Sequence, residues 1–546
     1  MSPGKNDLSA IELLIADEMP VEFEKVLSKE GISVANKPKI TKEELIVEIP
    51  KYHGLIVRSK TKVTKEIIDA ASNLKVIGRP GTGLDNVDLE AANMRGIAVF
   101  NTPASNKISV AELSIGYMIS LSRSLIPYDN DTKNSGWSKG KMIGKREIYG
   151  KTLGIIGIGY IGEEVAKRAE AFGMNVIYHD PYKKVEKYKP VSIERLFEEA
   201  DFVTVHVPSK EDTNSMIKYD LLKRMKKNAA FINTSRAEVV ERDALEKILE
   251  ERQDLMAATD VFYDEKAGEK GLAKFKERVI LTPHIGASTH DAQERGARQL
   301  AELVLDCFKS GIPKFAINMP RIDEGHFHYG KLSERIAYLG CNLLNMRPNK
   351  AEISCYGDLE KYTDFLLNVA LIPIVKYKSD FQSVNAINSI RLAEGMNMQI
   401  AKRKPHTQGY GNSITLDLIV DSENSISIRG TIDDNRIKIM RIGDYNGLSV
   451  VAEGKPLMAM YDESYGILEA ISHVLAKYQL SAVSMSSGED KKTNREMAFL
   501  NLKTNSLLSG KQLDEIKYEF NKRKGTSIKE NANLYQIKQL DFDSLT

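Results

Sequence analysis

The stretch from Lys151 to Asp180, KTLGIIGIGYIGEEVAKRAEAFGMNVIYHD, constrains the fold more than any other part of the chain. Leu153 to Ile156 form a short apolar run that reads as a buried parallel strand, and Ile161, Val165 and Ala169 then recur at helical spacing. Between them Gly157, Gly159 and Gly162 stand in the pattern GxGxxG. The first glycine permits a tight strand-to-helix turn, the second lets a pyrophosphate approach the backbone, and the third lets helix and strand pack closely. The helix start offers free N–H groups to phosphates. A second strand, Asn175 to His179, ends at Asp180, where a carboxylate can accept hydrogen bonds from an adenosine ribose. That charge repels a 2′-phosphate and favours NAD over NADP, with Lys183 and Lys184 close behind as the opposing feature. The bland alternative is an ordinary glycine-rich turn. A strand before, a helix after and an acid in place argue against it.

A chain of 546 residues is too long for one core, so about three or four domains are expected. Net charge is +2 with acids and bases interspersed, which gives no footprint for nucleic acid or a membrane surface. No signal-peptide core and no apolar run of membrane-spanning length is visible. The three cysteines, Cys307, Cys341 and Cys355, lack CxxC spacing, which argues against a metal or disulfide framework and for a reducing, cytoplasmic setting.

Residues 1–103 alternate strands (Glu12 to Ala16, Leu55 to Arg58, Val76 to Gly78, Ile97 to Asn101) with helices near Val21 to Glu30, Lys65 to Ala71 and Asp88 to Arg95. This βα alternation implies a parallel sheet. A helix over Ser109 to Ser124, apolar on most sides, is expected to lie buried between two domains. From Lys151 to Pro283 six further strands give a doubly wound sheet, and a helix from Thr289 to Ser310 returns to the first domain. Beyond Pro320 the pattern becomes α+β, and 457–540 spells βαββαβ. The expected division is 1–103 with 295–320, then 104–294, 321–453 and 454–546.

Hydride transfer to NAD needs a base for the hydroxyl proton and a cation for the substrate's carboxylate or oxygen. Arg236 follows the strand Ala229 to Asn233, and a planar guanidinium there can clamp a carboxylate with two hydrogen bonds. His284 follows the last strand and can accept a hydroxyl proton. Glu265 can orient that imidazole, with Asp264 a rival for the role. His179 and His206, at other strand ends, read as packed histidines.

The order Arg58-Ser59, GRPGTGLDNVDL, NTP, GKTLGIIGIGYIG, Asp180, HVP, NTSRAEVV, ATDVF and PHIGAST resembles the D-isomer-specific 2-hydroxyacid dehydrogenases over about residues 10–315. The resemblance implies two doubly wound, Rossmann-like α/β domains, one for substrate and one for NAD. It assigns Arg236, Glu265 and His284 to catalysis. It places NAD against Thr82, Tyr160, Ile161, Asp180, Thr234, Asp260, His284 and Gly286, and substrate against Arg58, Ser59 and Arg79. Lys266 stands where a proline commonly follows the glutamate, Pro80 where alanine is usual, and Val207 where threonine is frequent.

The C-terminal half is similar to the long-form members of the same family, with two α+β regulatory domains. The first resembles an allosteric substrate-binding domain, and the last is a ferredoxin-like ACT module. An L-serine effector there would meet Tyr461, Glu463 and Ser481, although Tyr465 replaces a usual proline and Ser481 a usual asparagine. A ligand-free dimerising module is the plainer reading. The resemblance implies a homotetramer that oxidises 3-phospho-D-glycerate to 3-phosphooxypyruvate with NAD, the entry to serine biosynthesis. Lys133, Lys139 and Lys141 are candidates for a basic rim. A glyoxylate or hydroxypyruvate reductase is the alternative within the fold, and a non-catalytic sensor the alternative outside it.

Overall fold

The computed structural model describes residues 8–139, 146–264, 270–311, 313–381, 383–404, 411–445, 447–462, 466–504 and 506–545. Among the described residues the strands form four sheets. The first is wholly parallel, in the order Ser33–Asn36, Glu12–Ile15, Gly54–Ile56, Val76–Arg79, Ala98–Asn101. Its three central strands and Ala98–Asn101 are apolar along most of their length because both faces are covered, while the edge strand Ser33–Asn36 is partly exposed. Leu14, Leu55, Ile77 and Val99 point to one side, and Leu13, Ile56, Val76 and Phe100 to the other. That second side receives Leu300, Ala301 and Val304 of the helix His290–Ser310, so the long helix does return to the first sheet.

The second sheet is also parallel. Its order is Val279–Leu281, Met256–Thr259, Ala230–Asn233, Phe202–Val205, Thr152–Ile156, Asn175–His179, Lys189–Pro190. Strand order reverses between Thr152–Ile156 and Phe202–Val205, and ligands of such sheets lie outside the carboxyl ends of the strands at this point. Six strands were expected and seven are present. The extra one is the two-residue edge strand Lys189–Pro190, where proline costs no ladder bond on its open side.

The helix Lys107–Arg123 also departs from expectation. Ala111, Ile115, Met118 and Leu121 pack on Leu153, Ile155 and Val165, so it covers one face of the second sheet rather than lying between two domains.

The third sheet runs Gln399–Lys402, Lys350–Tyr356, Ser413–Ile419, Ser425–Asp433, Arg436–Ile442, Val450–Val451, antiparallel except for its first pair. The helices Tyr329–Leu344 and Thr363–Lys376 cover one face. The fourth is antiparallel, in the order Ala482–Asp490, Arg495–Leu502, Leu457–Asp462, Leu534–Gln539, and the helices Ile467–Lys477 and Gly510–Lys522 complete βαββαβ. No helix among the described residues is long and apolar enough to cross a membrane.

Candidate active site

The glycine turn has the geometry its spacing demands. Gly157 adopts φ +86°, and its N–H donates to the His179 carbonyl at 2.9 Å. A Cβ at Gly162 would collide with the Gly157 carbonyl oxygen, so this glycine lets the helix start press against the turn. A Cβ at Gly159 would meet nothing within 4 Å, which leaves the space a pyrophosphate needs. Gly159 caps the helix Tyr160–Ala171, whose first N–H groups are aimed into that space. Tyr160 is exposed and Ile161 half-buried at the same edge.

Asp180 accepts from the N–H of Ile158 at 3.0 Å and from those of Tyr182 and Lys183 at 2.9 Å each. Of about four acceptor positions on a carboxylate, one remains for a ribose hydroxyl. The Lys183 ammonium is held 3.0 Å from Glu163, which draws it from the place a 2′-phosphate would take. These residues fit an NAD molecule.

At the strand ends, Asp260 is fully buried. One oxygen accepts the Ile285 N–H at 2.8 Å and the Thr282 hydroxyl, and the other accepts the Gly286 N–H at 2.7 Å. Tyr117 of the helix Lys107–Arg123 bonds the same threonine hydroxyl. This chain fixes the loop on which His284 sits exposed at φ +54°, a left-handed conformation unusual for a residue with a side chain. Asp260 thus spends its oxygens on the histidine loop, and no motif pointed to Tyr117 or Thr282. Thr234 lies within 3.3 Å of Ser114 and 3.5 Å of His206. His206 is packed, and burial pushes its pKa down to about 3, so the imidazole is neutral. Glu265, with neighbouring Lys266, falls outside the described residues.

The first sheet contributes cations. Arg79 donates to the Arg58 carbonyl at 3.4 Å, to the Ser59 hydroxyl at 3.1 Å and to the Gly83 carbonyl. Arg236 reaches across from the second sheet to Asp85 at 3.3 Å, against Gly83, where a Cβ would collide with the guanidinium. Burial lowers the Arg79 pKa; Asp85 opposes this, and the charges of Arg236 and Arg58 add to it. Arg58, Ser59, Arg79 and Arg236 are therefore brought together, and the crowding of positive charge is what an anion would relieve.

Other candidates lie apart. The Thr82 hydroxyl faces the Pro103 carbonyl at 3.2 Å and Asn106 at 3.3 Å, at the start of the helix Lys107–Arg123. Lys133 is paired with Asp129 at 2.6 Å, Lys139 is exposed, and Lys141 is outside the described residues.

In the fourth sheet, Tyr461 is a core residue, 1% exposed, where burial raises its pKa with Glu496 adding to the effect; it is not an open effector contact. Ser481 is exposed at the far end of the sheet. Tyr461 pairs with Glu496, and Ala482, next to Ser481, with Leu502, six positions along one strand. At ~3.4 Å per residue that is about 20 Å. Glu463 lies outside the described residues.

Residues 115–286 match the family model of the D-isomer specific 2-hydroxyacid dehydrogenase NAD binding domain. That span holds every cofactor candidate except Thr82. Over 503 residues the chain is 33% identical to the D-3-phosphoglycerate dehydrogenase of Methanocaldococcus jannaschii, covering 90% of this chain and 95% of that protein. The chain belongs to the D-3-phosphoglycerate dehydrogenase family. The human member is 34% identical over 417 residues, 74% of this chain and 78% of its own. The NAD-bound 3-phosphoglycerate dehydrogenase of Entamoeba histolytica is 35% identical with a TM-score of 0.50, covering 56% of this chain and 98% of that one. The family likeness in sequence thus extends well beyond the span matched by that solved structure.

Proposed function

We propose that this chain oxidises 3-phospho-D-glycerate to 3-phosphooxypyruvate, the first step of L-serine biosynthesis. The observation that carries this reading is the meeting of Arg58, Ser59, Arg79 and Arg236, drawn from both parallel sheets, because a substrate with a carboxylate at one end and a phosphate at the other needs separate cations. Arg236 holds the C1 carboxylate and polarises the C2 oxygen, while Arg58 and Arg79 with Ser59 meet the phosphate. His284 takes the C2 hydroxyl proton, and Glu265 orients the imidazole. Bound in this cradle, NAD would supply the acceptor for the hydride from C2. Gly157, Gly159, Gly162, Tyr160, Ile161 and Asp180 hold the dinucleotide at one end of its cradle, with Thr82, Thr234, Asp260 and Gly286 lining its approach to the substrate.

Residues 1–103 with 295–320 form the substrate domain, 104–294 the NAD domain, 321–453 an allosteric substrate-binding-like domain and 454–546 an ACT-like regulatory domain. The enzyme works in the cytoplasm as a homotetramer and takes L-serine as effector.

Comparison of kcat/KM for phosphorylated and unphosphorylated hydroxypyruvate, in the reducing direction, tests the substrate. Each charge-assisted bond to the phosphate contributes roughly 1.5 to 3 kcal/mol, so the phosphorylated compound is preferred by about 10²-fold or more. Equal values, or a preference for the smaller acid, would favour a glyoxylate or hydroxypyruvate reductase instead.

A further inference from the structure

The turn Arg58–Thr61 is gripped from both sides. Asp17, just past the first-sheet strand Glu12–Ile15, is 2% exposed. One of its oxygens accepts the Arg58 N–H at 2.6 Å and the Thr61 N–H at 3.2 Å, and the other accepts the Thr61 hydroxyl at 2.6 Å. From the opposite side, the amide nitrogen of Asn86 donates to the Arg58 carbonyl at 2.7 Å and to the Thr61 carbonyl at 2.6 Å. A carboxylate thus takes both N–H groups and an amide supplies both carbonyls of the same two residues. The Arg58 guanidinium donates in turn to the carbonyl of Glu18 at 3.2 Å, and Arg79 reaches the Arg58 carbonyl and the Ser59 hydroxyl. Asn86 sits in the same loop as Gly83, which accepts from Arg79, and Asp85, which pairs with Arg236. One small frame therefore sets the spacing of all the cations.

We infer that Asp17 and Asn86 are positioning residues for recognition of the substrate's phosphate. They act through Arg58 and Ser59 and touch no substrate themselves. The inference rests on the reading that Arg58 meets the phosphate. A turn that needed only stability could close on its own backbone; this one is tied at both peptide faces to two separate segments that carry Glu18 and Arg79. Displacement of a clamp by about 1 Å costs up to about 10²-fold in recognition.

The test measures KM and kcat for 3-phosphooxypyruvate and for unphosphorylated hydroxypyruvate in Asp17→Asn, Asn86→Asp, Asn86→Ser and Arg58→Ala, with NADH affinity and thermal unfolding alongside. In Asn86→Asp a carboxylate faces two carbonyls. In Asn86→Ser the donors are gone without added charge, so the pair stays informative if Asp17→Asn fails to fold. The expected result is a rise of about 10- to 100-fold in KM for the phosphorylated substrate. KM for the unphosphorylated one, kcat and NADH affinity should hold within about twofold, and Arg58→Ala should show the same selective loss. If Arg58→Ala loses the phosphate preference and both Asn86 variants keep it, the positioning role is overturned while the reading of Arg58 stands. If Arg58→Ala keeps the preference, that reading falls and the inference falls with it. Parallel loss for both substrates together with lowered unfolding temperature would reduce Asp17 and Asn86 to structural residues.

Discussion

A methyl group at Gly162 would strike the Gly157 carbonyl oxygen, whereas one at Gly159 would enter open space. Gly162→Ala should therefore lower stability by about 1–3 kcal/mol through overpacking. Gly159→Ala should leave the unfolding temperature unchanged and raise KM for NAD about tenfold or more, because the added methyl occupies the pyrophosphate's approach. Thermal unfolding and NAD titration distinguish the two. His206 gives a pH prediction. Its folded pKa, about 3, lies below the ordinary 6.5, so the unfolded chain binds the proton more readily and stability falls as pH drops below 6.5. The loss is about 1.4 kcal/mol per pH unit, or about 2 kcal/mol at pH 5, and His206→Gln should flatten it in unfolding curves taken between pH 7 and about 4. The glycine triplet was legible in the sequence because its roles follow from covalent geometry over six neighbouring positions. Asp17 and Asn86 were not, since their bonds to Arg58 span 41 and 28 positions and only the folded sheet brings them close.

Elements with a strong periodic signal agree between sequence and structure. Asn175–His179 lies at the bounds read from the sequence, and the terminal βαββαβ order holds. The two strands of the parallel sheets that went unread are edge strands. Ser33–Asn36 and Lys189–Pro190 pair on one side only and need no apolar run. The helix Lys42–Glu48 also went unread, although it opens on a capping box: Thr41 accepts from the Glu44 N–H at 3.2 Å, and the Glu44 carboxylate accepts from the Thr41 N–H at 2.9 Å. Thr41→Ala should cost about 0.5–2 kcal/mol, read as a lowered unfolding temperature with KM values unchanged. Helix amphipathicity misled at Lys107–Arg123. Its apolar girth signals the depth of its packing on the second sheet, and sequence alone cannot say which surface supplies the cover.

At the scale of the whole molecule, the third sheet is joined to the first. Asn385 donates to the Gly96 carbonyl at 2.7 Å and Arg391 pairs with Glu90, at the two ends of the helix Leu89–Met94 that follows the loop of Arg79 and Asp85. The segment after Pro320 thus leans on the first sheet's layer, a contact between residues about 300 positions apart that no local pattern announces. The site itself is an assembly of lobes, with Arg236 from one sheet set among Arg58, Ser59 and Arg79 of another and His284 held on its loop by Asp260. Its chemistry is tested most directly by following NADH formation from NAD and 3-phospho-D-glycerate in the full chain and in His284→Asn, with NAD affinity measured on both. Steady NADH production by the full chain, reduced about 10²- to 10⁴-fold in His284→Asn with NAD affinity retained, is the predicted result. No NADH from the full chain, or an undiminished rate in the variant, would contradict it.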